Sequence, residues 1–383
     1  MMKKTGYPPE FAGAVEAASS TGGQIMPPIM GAAAFIMAEM TGYEYSDIIV
    51  RAILPAFLYF LGIFLGVHFK AKKLGLVGLK REELPKWKLL LPKIYLLLPL
   101  IILTWMVIAG QTMAKSAIYG TIVAIVVGII NKDDRMTPTK FVNGLENGGK
   151  NCISIGIACG IAGIISVCIT MTGLGGKLIT YVVKLSNGHL FIALFLTMIC
   201  CIILGMGVPT TANYIIMAST CAPILINGMD MHVLAANMFV FYFGIVADIT
   251  PPVALAAYAG SAIAKAPPMK TAFNATRLAI AAFIIPYIFA FNNAMIFVGD
   301  DVTVWSVASI TISATLGMLS IASGLMGYLI HDLKWISRIA LIAGGLLMII
   351  PGTVSDLAGF AVLAAIFVLQ TIENKKEKKA TSV

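Results

Sequence analysis

Asp248-Ile249-Thr250-Pro251-Pro252-Val253-Ala254-Leu255-Ala256-Ala257 decides how this chain folds. The apolar run Val233 to Val246 precedes it, and a second run continues to about Ile263. A carboxylate, a hydroxyl and two prolines therefore interrupt a segment otherwise suited to lipid. In hydrocarbon an unpaired backbone group is expensive, so irregular backbone persists only where protein buries it or where it lines a cavity. Secondary transporters use such interruptions as binding sites. Half-helix N-termini offer N–H groups to anions, and freed carbonyls coordinate cations.

The pattern recurs near the N-terminus. Ser19-Ser20-Thr21-Gly22-Gly23-Gln24 leads through Ile25-Met26 to Pro27-Pro28, followed by Ile29-Met30-Gly31-Ala32-Ala33. In both places a polar break precedes a proline pair and small residues follow it. Each pair is expected to open a helix, where a missing N–H costs nothing and φ is preset. The small residues allow close helix packing. A third interruption reads Gly205-Met206-Gly207-Val208-Pro209-Thr210-Thr211, with Asn213 just beyond. Prolines and glycines can also merely kink packed helices. Three breaks, two of them alike, favour a binding site between related halves.

The rest of the chain supplies the setting. Of its 383 residues 59% are apolar and 12% charged, against roughly 25% charged in a soluble domain. Apolar blocks of about 20 residues suit spanning helices, and barrel-type alternation is absent. The expected fold is an all-α polytopic membrane protein. The net charge of +9 lies mostly in loops and the tail, which excludes a nucleic-acid face. It places the Lys70–Lys88 loop, the Lys132–Lys140 loop and the Lys375–Lys379 tail in the cytoplasm. Spans are expected from about Asp47, Leu89, Met113 and Leu190. A surface helix over Thr139–Lys150 leads into a span from Cys152, and helix after the third break stops at Asn227-Gly228. Val304–Ile330 forms one long helix or two short ones. The four histidines have no zinc spacing, and no HExxH, GxSxG or paired intramembrane aspartate points to an enzyme. Six cysteines without a CxxC read as small packed residues.

Acidic groups at membrane depth should face a cavity or a partner. Asp248 is the strongest of these, ahead of Glu16 and Glu39. Gly22, Gly23, Gly205 and Gly207 read as places where the backbone turns sharply or approaches a ligand.

Taken together, Glu16 to Pro28, Leu204 to Thr211 and Ile249 to Ala257 resemble the large membrane subunit of TRAP (tripartite ATP-independent periplasmic) transporters, and most closely the fused permease type that serves TAXI-class binding proteins. The resemblance runs from about Lys3 to Asn293. It implies an inverted-repeat secondary transporter of elevator type, with re-entrant hairpins and broken helices, in the bacterial inner membrane. It implies uptake of a small organic anion such as a carboxylate, coupled to sodium or protons, without a bound cofactor. Implied partners are a periplasmic solute-binding protein of the TAXI class, small-subunit-like and N-terminal permease segments, and the lipid bilayer. Carried onto this sequence, Ser19 to Pro28 match the first hairpin's loop and the helix after it. Gly205, Gly207, Pro209, Thr210, Thr211 and Asn213 match the second hairpin. Asp248, Thr250, Pro251 and Pro252 match the second broken helix. Sodium is expected at Thr21, Gly23, Thr210, Asp248 and Thr250. On this reading residues 1–295 form the permease core, 296–372 are additional C-terminal helices, and 373–383 are a charged tail. Family members carry helices before the first hairpin, so the sequence also reads as a C-terminal portion, an assembly half inert until joined to its N-terminal part.

Overall fold

The computed structural model describes residues 1–28, 30–78, 87–131, 134–299, 302–350 and 352–381. Several loop cations and acids of the sequence reading (Lys80, Arg81, Glu82, Glu83, Lys86, Lys132, Asp133) and Pro351 lie outside the described residues. After a 3-10 turn over Met2–Thr5 the helices are α1 Pro9–Gly22, α2 Ala32–Thr41, α3 Tyr45–Lys73, α4 Trp87–Leu90, α5 Leu98–Ile108, α6 Met113–Ile130, α7 Pro138–Met171, α8 Leu174–Ser186 and α9 Leu190–Gly205. They continue as α10 Thr210–Thr220, α11 Ala222–Met229, α12 Val233–Ala247, α13 Leu255–Ala264, α14 Pro268–Leu278, α15 Ile280–Phe291, α16 Val304–Met326, α17 Trp335–Leu347 and α18 Thr353–Thr381. No β-strand occurs among the described residues. Six helical stretches are long and apolar enough to cross a membrane. The chain is an all-α, multi-pass membrane protein.

Helix α3 illustrates why the spans form. Its 29 residues make about 43 Å of helix, more than the roughly 30 Å hydrocarbon layer requires. Asp47 stands in its first turn and Lys70, Lys72 and Lys73 in its last, each sign complementing the helix dipole. Val50, Ile53, Phe57 and Phe64 form an exposed apolar face, while Ile48, Ala52, Ala56 and Tyr59 are buried. Helix α12 differs: every residue from Leu234 to Ala247 is buried. A helix apolar on all sides belongs at the centre of its bundle.

Two contacts fix how the breaks sit relative to each other. Gly13 of α1 meets Gly260 of α13 so closely that a Cβ on Gly260 would lie 2.6 Å from the Gly13 carbonyl oxygen. Lys3, ahead of α1, donates to the Ala264 carbonyl at the far end of α13 (2.7 Å). The C-terminal end of α1 and the N-terminal end of α13 therefore lie on the same side of this crossing. Likewise Tyr43, just past α2, bonds His232, the N-cap of α12 (3.2 Å). The first break, between α1 and α2, is brought level with the second, between α12 and α13.

Two expected boundaries shift and one open alternative is decided. The expected surface helix and following span are one continuous helix, α7. A Cβ on Gly148 or Gly149 would meet nothing, and helix interior glycine costs only about 1 kcal/mol, so nothing there ends the helix. Asn227-Gly228 does not stop α11, because Gly228 packs against Val183 of α8; the stop comes at Asp230, with φ 53°. The stretch from Val304 is one helix, ended by Gly327 at φ 70°.

Candidate functional site

The two breaks share a backbone plan. With Pro28 set against Pro252, the N–H of Gln24 bonds the Thr21 carbonyl as that of Asp248 bonds Ile245. Ile25 bonds Gly22 as Ile249 bonds Val246, and Met30 bonds Met26 as Ala254 bonds Thr250. The Gln24 carbonyl accepts from Gly31, and the Asp248 carbonyl from Ala256. Ile25 and Ile249 are fully buried and anchor each loop. The Pro28 carbonyl accepts from the Tyr45 hydroxyl (3.1 Å) and the Pro252 carbonyl from that of Tyr258.

The proline pairs do not open helices as expected. Both Pro-Pro bonds are cis, and Met30 and Ala254 have φ of 46° and 34°. A right-handed helix cannot include a left-handed residue without a steric penalty, so α2 and α13 begin only at Ala32 and Leu255.

Breaking a helix leaves carbonyls to be satisfied. The loops reuse most of them, and Thr276 takes that of Ile249 (3.0 Å). Among the described residues no donor reaches the carbonyls of Gly23, Ile25, Pro27, Pro251 or Val253. Among the described residues, the carbonyl of the first proline of each pair is thus unpaired at the matching position.

The third break closes over the second. Helices α9 and α10–α11 form a hairpin: Cys201 and Cys221 are buried in one core cluster, and Ala193 packs in another with Ile224. The 16 residues of α9 reach about 24 Å, short of a full span. Between the legs Gly207 turns at φ 76°, as expected. A Cβ on Gly205 would lie 2.7 Å from Asn213 Nδ2 and 2.9 Å from the Ala247 Cβ, so its role is close approach. The tip meets the second break where Thr210 Oγ1 donates to Asp248 Oδ2 (3.4 Å). Asn213, fully buried, donates to the Gly244 carbonyl (3.1 Å), while among the described residues its Oδ1 has no partner. An unpartnered buried oxygen is costly unless something binds it.

The structure therefore brings Thr210, Asn213, Asp248, Thr250, Pro251 and Pro252 together, with Gly205, Gly207, Pro209 and Thr211 around them. Thr250 spends its hydroxyl on the Val246 carbonyl (2.7 Å). Asp248 caps the C-terminal end of α12, where the dipole is already negative. Carboxylate, dipole and free carbonyls make a region of negative potential suited to a cation. At the first break the matching position is the neutral Gln24. There Thr21 is buried, Ser19, Pro27 and Pro28 are half-buried, and Ser20 is exposed.

Two glycines differ from expectation. Gly22 makes no sharp turn: a Cβ there would lie 2.2 Å from the Tyr59 ring, so its smallness seats that ring. Gly23 is ordinary right-handed backbone (φ −58°). Glu16 and Glu39 are exposed, away from the buried cluster. The sequence reading missed Tyr45, Tyr258, Tyr59, Thr276 and Gly244. Tyr45 and Tyr258 occupy unrelated positions relative to their proline pairs, so no spacing could have revealed them.

The profile of the family described as Tripartite ATP-independent periplasmic transporter, DctM component, matches residues 1–301. A search of curated proteins found no match. Paired breaks at one level, a hairpin tip closing on the second and a family match over most of the chain converge: the chain belongs to the DctM family of TRAP transporters and is a permease component of such a secondary transporter, which works with a periplasmic binding protein and a small component.

Proposed function

We propose that this permease imports a small organic anion, a carboxylate in class, across the inner membrane, driven by a sodium gradient. The donor set carries the reading. Neutral carbonyls at Pro251 and Val253, the orphan Asn213 Oδ1, the Thr210 hydroxyl and the Asp248 carboxylate are hard oxygen ligands of the kind alkali and alkaline-earth cations take. A proton needs one basic atom, whereas neutral amide oxygens gain little from it, so the set favours sodium over protons. Thr21 and the free carbonyls of Gly23 and Pro27 serve a second cation at the first break. The solute's carboxylate binds near the start of α10, which lacks a side-chain cap and so offers N–H groups to an anion.

The pairing of α1 with α13 and α2 with α12 supports an elevator-type movement in which both breaks travel together. A TAXI-class binding protein delivers the solute, and small-subunit-like segments hold the static part. Residues 296–372 add to that frame, ahead of the charged tail at 373–383. The test is uptake into proteoliposomes holding the permease with its small component and binding protein. Accumulation under an inward sodium gradient, and none under a proton gradient alone, is expected; proton-driven uptake indifferent to sodium would overturn the reading.

A further inference from the structure

A second charged cluster lies at one end of the spans, away from the breaks. Gly66 of α3 abuts Leu278 of α14 and Met326 of α16, with a Cβ on Gly66 falling 2.9 Å and 3.7 Å from their side chains. One turn beyond this three-helix contact stands Lys70, its ammonium 5.7 Å from the Phe11 ring centre. Next to Leu278 stands Arg277. Just past Met326, the Lys73 ammonium and Arg338 Nε each lie within 3.2 Å of the point where a Cβ on Gly327 would stand. Four cations from three helices, Lys70 and Lys73 of α3, Arg277 of α14 and Arg338 of α17, thus gather beside this contact.

Two of the four have structural work. Arg338 donates to the Gly324 (2.9 Å) and Leu325 (3.1 Å) carbonyls and so closes the end of α16. Lys73 donates to the Met326 and Gly327 carbonyls and pairs with Asp332 (3.2 Å). Arg277 has no such work. It is half-buried, within electrostatic reach of Lys70 and Arg338, both cations, and among the described residues its guanidinium makes no hydrogen bond or ion pair. Glu10 is the carboxylate within reach of Lys70, and Asp332 is engaged by Lys73. A half-buried guanidinium has five donors in a fork matched to phosphate oxygens. The cluster stands at the last turn of α3, a helix long and apolar enough to cross a membrane, and basic pockets between spanning helices take lipid headgroups.

We propose that Arg277 and Lys70, with Arg338 and Lys73 beside them, bind the phosphate of an acidic phospholipid headgroup. The site joins α14, which follows the second break, to α3 and to the C-terminal helices beyond the family match. A bound headgroup there bridges the two parts. The experiment is native mass spectrometry of the purified full chain titrated with phosphatidylglycerol, phosphatidylcholine or inorganic phosphate. Wild type should retain phosphatidylglycerol at least tenfold more tightly than phosphatidylcholine. Lys70→Gln/Arg277→Gln should lose that preference, while charge-conserving Lys70→Arg/Arg277→Lys and the distant Lys334→Gln should keep it. Should the double variant not fold, Arg277→Gln alone, compared with Arg277→Lys, decides the matter by the same readout. Equal retention of the two lipids by wild type, an unchanged preference in the glutamine variants, or saturable binding of inorganic phosphate in place of the lipid would overturn the proposal.

Discussion

The α1–α13 crossing predicts a non-additive mutational effect. A Cβ added at Gly260 would lie 2.6 Å from the Gly13 carbonyl oxygen, and one added at Gly13 would lie 2.8 Å from that of Gly260 and 3.1 Å from Ala264. Ordinary contact begins at 3.4 Å, so Gly260→Ala must part the helices by about 0.8 Å, a gap at which the lining atoms forfeit a quarter to a half of their contact energy. The obstacles are backbone oxygens, which cannot rotate aside. Overpacking of this kind costs about 1–3 kcal/mol. Gly13→Ala demands nearly the same separation, so once one methyl is present the other finds the space already open. The double variant should cost about as much as the worse single, whereas independent sites add to within about 0.5 kcal/mol. Thermal unfolding of the purified protein in one detergent, run on all four forms, measures this. Single variants with wild-type midpoints, or a double variant whose loss equals the sum, would refute the close crossing that sets the two breaks level.

Other consequences are quicker to check. Gly207→Ala places a Cβ on left-handed backbone, costing about 1–2 kcal/mol, and should lower uptake more than Gly207→Asn; equal activities would mean the hairpin tip turns otherwise. Tyr258→Phe removes the donor to the Pro252 carbonyl, a loss of about 0.5–1.5 kcal/mol, and should lower the thermal midpoint, as Tyr45→Phe should at the other break. Cysteines placed at Lys73, Arg135 and Lys378 of a cysteine-free variant should resist an impermeant thiol reagent in intact cells, since basic segments face the cytoplasm. Labelling of any one from outside would reverse that part of the topology.

The sequence revealed most about the breaks and least about what supports them. Apolar length and polar interruption located α3, α9 and α12 within a few residues, because membrane burial acts on every residue of a span. The kinship of the two breaks was visible in Pro27-Pro28 and Pro251-Pro252. Their geometry was not: the left-handed Met30 and Ala254 carry no composition signal, and the helix starts moved accordingly. Glycine identity was legible at Gly207 but ambiguous at Gly22, where the deciding neighbour, Tyr59, comes from another helix. The meeting of Thr210 with Asp248 joins two motifs quoted separately, and only the packing of the hairpin on α12 puts them in contact.

The most direct test of the central claim, a cation site where the hairpin tip meets the second break, is equilibrium binding of radiolabelled sodium to the purified permease. Wild type should bind it saturably. Asp248→Asn removes the charge that faces Thr210 and should weaken binding at least tenfold, while Glu16→Gln, on the exposed face of α1, should leave it unchanged. Sodium binding in Asp248→Asn equal to that of wild type, in a variant that remains folded, would contradict the account.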